Sequence, residues 1–198
     1  KHQGRAPTIK ALNDSLSRLK MDYVDLLLIH WPNMENFDLS LETWQTLIEL
    51  KHQGKTRAIG VSNYTQDVIQ KTIDSSGVIP GINQVEFHPF LYQEGLLSYC
   101  QSKEIKVQAY SPILRAKRTE DQPLQTLAKK YSKTPVQIIL RWHIEHGTIP
   151  IPRSSNRQHI MENIDIFDFS LDEGEIEAMD AMDEDFRLIQ PAKAPDAW

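Results

Sequence analysis

Five places along the chain gather side chains that do chemistry: His30 and Trp31; Ser62 and Asn63; Gln84 with Glu86 and His88; Tyr110 and Ser111; and Arg153, Ser154, Ser155, Asn156 and Arg157. Neutral His, Asn, Gln and Ser are donors and acceptors without fixed charge, suited to holding an amide or polarising a carbonyl. They are poor hydrolytic machinery. Tyr110 offers a flat ring that can stack on a heterocycle or simply cap a core. The 153–157 run lies where a strand gives way to a helix, an arrangement that can cradle phosphate or stand as a solvated basic turn. Glu86 and His88, two apart on a strand, point to one side as metal pairs do. Pro89 ends the strand there, a structural role is the plainer reading, and no metal is expected.

The elements that position these groups read as alternating strands and helices. In YVDLLLIHWP, Val24 to Ile29 is nearly continuous in apolar character, as for a parallel strand covered on both faces, and Pro32 stops a helix from following at once. His30 and Trp31 therefore stand at a strand's carboxyl end, where parallel α/β folds build their sites. Further strands are expected at Ala58 to Val61, Asn83 to Phe87, Lys106 to Tyr110 and Thr148 to Ile151. Helices are expected from Thr8 onward and over Leu41 to Gln53, Thr65 to Asp74, Glu94 to Ser102 and Leu124 to Tyr131, then over Pro135 to Glu145, Arg157 to Ile164 and Leu171 to Met182. Gly54 suits a helix end, and Thr134 with Pro135 a helix start. Five βα units in series imply one domain over residues 1–198. No GxGxxG follows any strand, which argues against a dinucleotide-binding doubly wound sheet. Polar groups collected from many strand tips argue for a (β/α) barrel.

Among 198 residues, 40% are hydrophobic, enough for a sizeable core. The net charge of −5, from 22 basic and 27 acidic residues well interspersed, gives no basic face for a nucleic acid. No apolar stretch approaches the ~20 residues of a membrane span. Cys100 is alone, so there is no internal disulfide and a reducing cytoplasm fits; in LLSYCQSK it reads as a packed small hydrophobe. The chain opens without Met or a cleavage signal, on a helix ahead of its first strand, so upstream sequence is expected.

The runs DYVDLLLIHWP, GKTRAIGVSNY, NQVEFHP, QAYSP, KTPVQIILRWHIEHGTIPIPRSSN and ENIDIFDFSL, in this order and spacing, resemble the aldo-keto reductases over essentially the whole chain. The short loop after QAYSP and the tail FRLIQPAKAPDAW most resemble small bacterial members such as the 2,5-diketo-D-gluconate and methylglyoxal reductases. The resemblance implies an eight-stranded (β/α)8 TIM barrel, here an amino-terminally truncated portion, that reduces aldehydes and ketones with NADPH. It makes His30 the active-site histidine that orients the substrate carbonyl, and places Trp31 in the substrate pocket. Ser62, Asn63 and Gln84 match the residues holding the nicotinamide carboxamide, Tyr110 the aromatic under the nicotinamide ring, and Ser111 and Ile113 the stretch along the pyrophosphate. Arg153, Ser154, Ser155 and Asn156 match the loop around the adenosine 2′-phosphate, with Glu162 and Asn163 on the adenine side.

Two departures qualify this. The family often has lysine at Arg153 and arginine at His159; a mostly neutral His159 removes one fixed charge for the 2′-phosphate, so NADH use becomes possible. Of the family's tetrad of Asp, Tyr, Lys and His, only His30 is present. Lys1 lies about four residues too close to Asp22 to be the lysine, and Tyr23, Tyr64, Tyr92, Tyr99 and Tyr131 match other positions. The leading expectation is a carboxyl-terminal portion of a monomeric carbonyl reductase, inactive on its own for want of a proton donor. The alternatives are a non-catalytic cofactor-binding or interaction protein and a metal-dependent hydrolase using His30, Glu86 and His88. With five strands, the first and last leave hydrophobic edges, so the isolated chain is expected to self-associate.

Overall fold

A computed structural model describes residues 2–189 of the chain. Its elements run α1 (Arg5–Leu19), β1 (Val24–Ile29), α2 (Phe37–His52), β2 (Thr56–Ser62), α3 (Gln66–Ser76), β3 (Ile82–Glu86), α4 (Glu94–Ser102) and β4 (Lys106–Tyr110). A short turn over Leu114–Ala116 precedes α5 (Gln122–Tyr131), α6 (Pro135–Glu145), β5 (Ile149–Pro150), α7 (Arg157–Ile164) and α8 (Glu173–Asp180). The strands are ordered β1-β2-β3-β4-β5, and β1 with β2, β2 with β3 and β4 with β5 pair in parallel. This α/β arrangement is part of a (β/α)8 barrel. The described residues fall into two compact units, residues 2–84 with 96–106, and residues 85–95 with 107–189.

In the first unit, α1 starts three residues before Thr8 because side chains of α2 take up its free amides. Gly4 N donates to Thr43 Oγ1 (2.8 Å) and Arg5 N to Glu42 Oε1 (3.2 Å). Leu12 and Leu16 of α1 pack with Leu50 of α2 over Val24 and Leu27. The α2 residue Trp44 is fully buried and its indole N–H donates to Ser76 Oγ (3.0 Å). Strand β1 corrects the expectation of cover on both faces. Leu26, Leu27 and Leu28 are half-buried and only Ile29 is buried, since β1 stands at one end of the strand order. β1 and β2 pair from Val24↔Thr56 to Ile29↔Val61, and β2 meets β3 at Val61↔Asn83 and Ser62↔Gln84. Gly60 is needed for this close approach: a Cβ there would lie 2.6 Å from Ile82 O and 2.8 Å from Leu28 Cδ2.

The second unit is centred on aromatic rings. Phe87 stacks on Trp142 with centroids 5.4 Å apart, and Tyr92 and His146 pack edge-on or tilted around them. Asp180 of α8 accepts from Trp142 Nε1 (2.7 Å) and faces His146 Nε2 (2.8 Å), fastening α8 to α6. Helix α6 starts as expected, with Thr134 and Gln137 bonding reciprocally in a capping box. α8 has the same box from Asp172 and Glu175, so it begins at Glu173 rather than Leu171. Strand β5 has two residues where four were expected. Its Ile151 N donates to Ala109 O (3.0 Å), which turns positions 150 and 152 to the outer edge, and both are proline.

Candidate functional site

In the first unit, the carboxyl ends of β1, β2 and β3 are tied by one polar network. Asn63 and Ser62 are each 1% exposed. Asn63 Nδ2 donates to His30 O (3.0 Å) and to Ser62 Oγ (3.1 Å), and Ser62 Oγ donates to Gln84 O (2.8 Å). The backbone N–H of Asn63 adds a bond to Gln84 O (2.9 Å). Asn63 takes a left-handed backbone (φ 62°), a turn that asparagine tolerates better than most residues and that brings its amide back over the β1 tip. Asn83 fixes the following residue, donating from Nδ2 to Tyr64 O (2.9 Å). The structure thus brings together His30, Ser62, Asn63 and Gln84. The His30 ring is exposed and lies edge-on to Trp31, with centroids 6.5 Å apart. Gln3 Nε2 donates to Trp31 O (2.6 Å), and a groove of about 580 Å³ beside β1 is lined by Leu12, Val24, Leu27, Ile29, His30 and Trp31.

In the second unit, Tyr110 ends β4 half-buried. Burial pushes its phenol up to about 12, with the Glu86 carboxylate adding and Arg187 opposing. Ser111 (φ 50°) opens the loop that follows, and Leu114, Arg115 and Ala116 continue in left-handed backbone. Ile113 is half-buried and its carbonyl accepts from Ala116 N (2.7 Å). Arg153 and Ser155 are exposed, while Ser154 Oγ accepts from Asn156 N (3.1 Å). Asn156 caps α7, its Oδ1 accepting from Gln158 N (2.8 Å) and His159 N (3.4 Å). Two amides in the first turn of α7 are therefore already engaged. Glu162 accepts from Gln158 Nε2 (2.7 Å). Asn163 and Thr148 line a cavity of about 440 Å³ whose other walls, Ile149, Pro150, Ile160 and Phe167 among them, are apolar.

Glu86 and His88 face each other at 3.2 Å, both essentially fully buried. The two oxygens of Glu86 also accept from Leu188 N (2.7 Å) and Ile189 N (3.0 Å). Burial works to raise the Glu86 carboxyl, but His88 and the two amides outweigh it and hold it below the usual carboxylate range. Among the described residues no His, Cys, Asp and Glu group could hold a metal ion. Sequence reasoning missed this clamp on the tail, and it missed Asn83; a polar residue at a buried strand position was the available signal for both. No helix of the described residues is long and apolar enough to cross a membrane.

A sequence model of the Aldo/keto reductase family matches residues 3–184. The chain is 40% identical over 186 residues to a glyoxal reductase of Bacillus subtilis, covering 94% of this chain and 66% of that protein. It is 40% identical over 181 residues to a methylglyoxal reductase of Escherichia coli, covering 90% and 66%. The chain thus spans just under two thirds of the length of these curated relatives. Among solved structures, an aldo-keto reductase of Bombyx mori in complex with NADP superposes with a TM-score of 0.89 at 39% identity, covering 96% of this chain and 67% of that one. An aldo/keto reductase from Brucella melitensis does so at 0.88 and 44%, covering 92% and 70%.

Proposed function

The chain belongs to the aldo/keto reductase family, and on that premise we propose that the complete protein is an NAD(P)H-dependent reductase of small aldehydes and ketones. The observation that carries this reading is the network on which His30 stands. Its carbonyl is held by Asn63, which bonds Ser62, which bonds Gln84, so three strand tips present neutral donors and acceptors together.

The donor set suits a nicotinamide dinucleotide. A carboxamide both donates and accepts, which matches Ser62, Asn63 and Gln84, and the half-buried ring of Tyr110 suits a flat heterocycle. Ser111 and Ile113 would run along the pyrophosphate. Arg153, exposed and in no ion pair among the described residues, suits the 2′-phosphate with Ser154, Ser155 and Asn156, and Glu162 and Asn163 would flank the adenine. When bound, the cofactor supplies the hydride. His30 donates to the substrate carbonyl oxygen and orients it, while Trp31 bounds the pocket. With His159 in place of a fixed charge, the preference for NADPH over NADH is modest. In the same reading the complete protein is a cytoplasmic monomer with one barrel domain.

Of the tetrad, these residues supply His30 alone, so the 198-residue chain by itself lacks the general acid, a factor of roughly 10² to 10⁴ in rate. The test is turnover of methylglyoxal with NADPH or NADH by the complete gene product and by the 198-residue chain. Turnover is expected from the former, falling at least about tenfold in His30→Ala, and none from the latter. Clear turnover by the 198-residue chain that disappears in His30→Ala would refute the inactivity assigned to it.

A further inference from the structure

The clamp at Glu86 has no part in the reading above. Residues 183–189 lie antiparallel along residues 86–92, fastened at five points: Tyr92 N to Asp183 Oδ1 (3.2 Å), Glu184 N and Phe186 N to Phe90 O (3.3 and 2.9 Å), and Leu188 N and Ile189 N to the two Glu86 oxygens. Arg118 reinforces the start of this segment, pairing with Glu184 at 3.0 Å while lying 4.1 Å over the Phe90 ring. The two ends of the contact differ in kind. Near Phe90 the acceptor is an ordinary carbonyl. At the far end it is a carboxylate 1% exposed that also faces His88 at 3.2 Å.

A buried carboxylate and two half-buried amides depend on one another. If the tail lifts, Glu86 loses two of its donors at once. The segment is therefore either docked or off, with little between. The Tyr110 phenol lies against the Glu86 backbone, with the Glu86 carboxylate and Arg187 both within electrostatic reach. The docked tail and the Tyr110 phenol thus meet the same residue, Glu86, and Tyr110 is the residue that the functional reading assigns to the nicotinamide.

We propose that Glu86 is a positioning residue, a latch that holds residues 187–189 over the end of β3 and so limits access to Tyr110. The latch stands on geometry alone; its bearing on cofactor entry rests on the reductase reading.

The test uses the full chain and its variants Glu86→Gln and Leu188→Pro. The first keeps the size of the side chain but turns one acceptor into a donor facing an N–H; the second removes one tail donor and leaves Glu86 intact. Amide hydrogen exchange of residues 186–189 is expected to accelerate about tenfold or more in both, with no change in the α6 peptide 135–145. Hydroxyl-radical footprinting of Tyr110 is expected to rise about threefold in parallel, an effect that loss of a merely structural bond near the tail would not produce. Should Glu86→Gln unfold, as faster exchange in α6 would reveal, Leu188→Pro decides alone. Unchanged tail exchange in a folded variant overturns the latch, and a released tail with an unchanged Tyr110 footprint overturns its role in access. Neither readout involves cofactor or turnover, so failure of the reductase reading leaves both intact.

Discussion

Replacing Asn63 separates the two things that residue does. Its Nδ2 bonds His30 O and Ser62 Oγ at 3.0 and 3.1 Å, and its backbone sits at φ 62°. Asn63→Gly removes both bonds but keeps the left-handed turn comfortable, so at about 0.5 to 1.5 kcal/mol for each bond it costs roughly 1 to 3 kcal/mol. Asn63→Ala removes the same bonds but keeps a Cβ in the left-handed region, without asparagine's tolerance of it, which puts it about 1 to 2 kcal/mol behind glycine. The extra freedom that glycine has when unfolded takes back about 0.5 to 1 kcal/mol of that difference. Alanine should therefore be the worse substitution by about 1 kcal/mol. Urea unfolding followed by tryptophan fluorescence reads both values, since the slope should stay constant while the midpoint moves. An alanine variant as stable as the glycine variant would mean that the turn carries no conformational demand. Two variants within about 0.5 kcal/mol of the parent would mean that the amide does not tie the strand tips together.

Gly60→Ala, whose new Cβ would meet Ile82 O at 2.6 Å, should lose at least about 2 kcal/mol or fail to fold, read from the melting temperature; a neutral outcome would show that β2 and β3 can separate there. His143 is fully buried and held down to about 3 by burial first, with His88 and His146 adding and the Pro112 carbonyl opposing. The unfolded chain then binds a proton that the folded chain does not, so stability should fall by about 2 kcal/mol from pH 7 to pH 5 and keep falling to about pH 3, a trend that a urea midpoint unchanged over this range would contradict. Burial pushes the Cys100 thiol up to about 11, against an opposing bond from Asn83, so a thiol reagent should label the folded chain far more slowly than the unfolded one. In the complete protein, His159→Arg should raise the NADPH to NADH ratio of kcat/KM at least about tenfold, as befits one added charge-assisted phosphate contact; an equal ratio would remove His159 from cofactor choice.

Residues whose role is decided locally were readable in advance. β1, α4, β4, α6 and α7 have the expected bounds, because an apolar run, a proline or a capping pair closes each of them. α2 begins at Phe37 instead of Leu41. Its entry is made by Asn33 Oδ1 accepting from Asn36 N (3.0 Å) and Ser40 Oγ accepting from Asn33 N (2.7 Å), bonds that apolar spacing does not register. β2 extends back to Thr56 because β1 offers it partners from Val24 onward, a non-local cause. In the candidate site the residue types were legible and their bonding was not. Asn63 was expected to reach outward, yet much of its amide is spent inward on His30 and Ser62. Glu86 and His88 drew attention as a pair, but the partners that explain Glu86 lie 102 and 103 residues away at Leu188 and Ile189. The tail beyond Ile189, used in the subgroup resemblance, lies outside the described residues.

The two prolines on the outer side of β5 give the molecule a direction for growth. A strand arriving at that edge finds carbonyls at positions 150 and 152 but no N–H to accept from, so half of a ladder is missing. The edge of β1 has no such gap: Val24 to Ile29 contains no proline. Stacking copies end to end would require β1 of one to meet β5 of the next, and that junction is the one the prolines spoil. What remains is β1 against β1, a contact with two-fold symmetry that consumes both competent edges and closes on itself. Copies of this chain that associate through their sheets should therefore stop at pairs, and light scattering should reach a plateau instead of climbing as fibres lengthen.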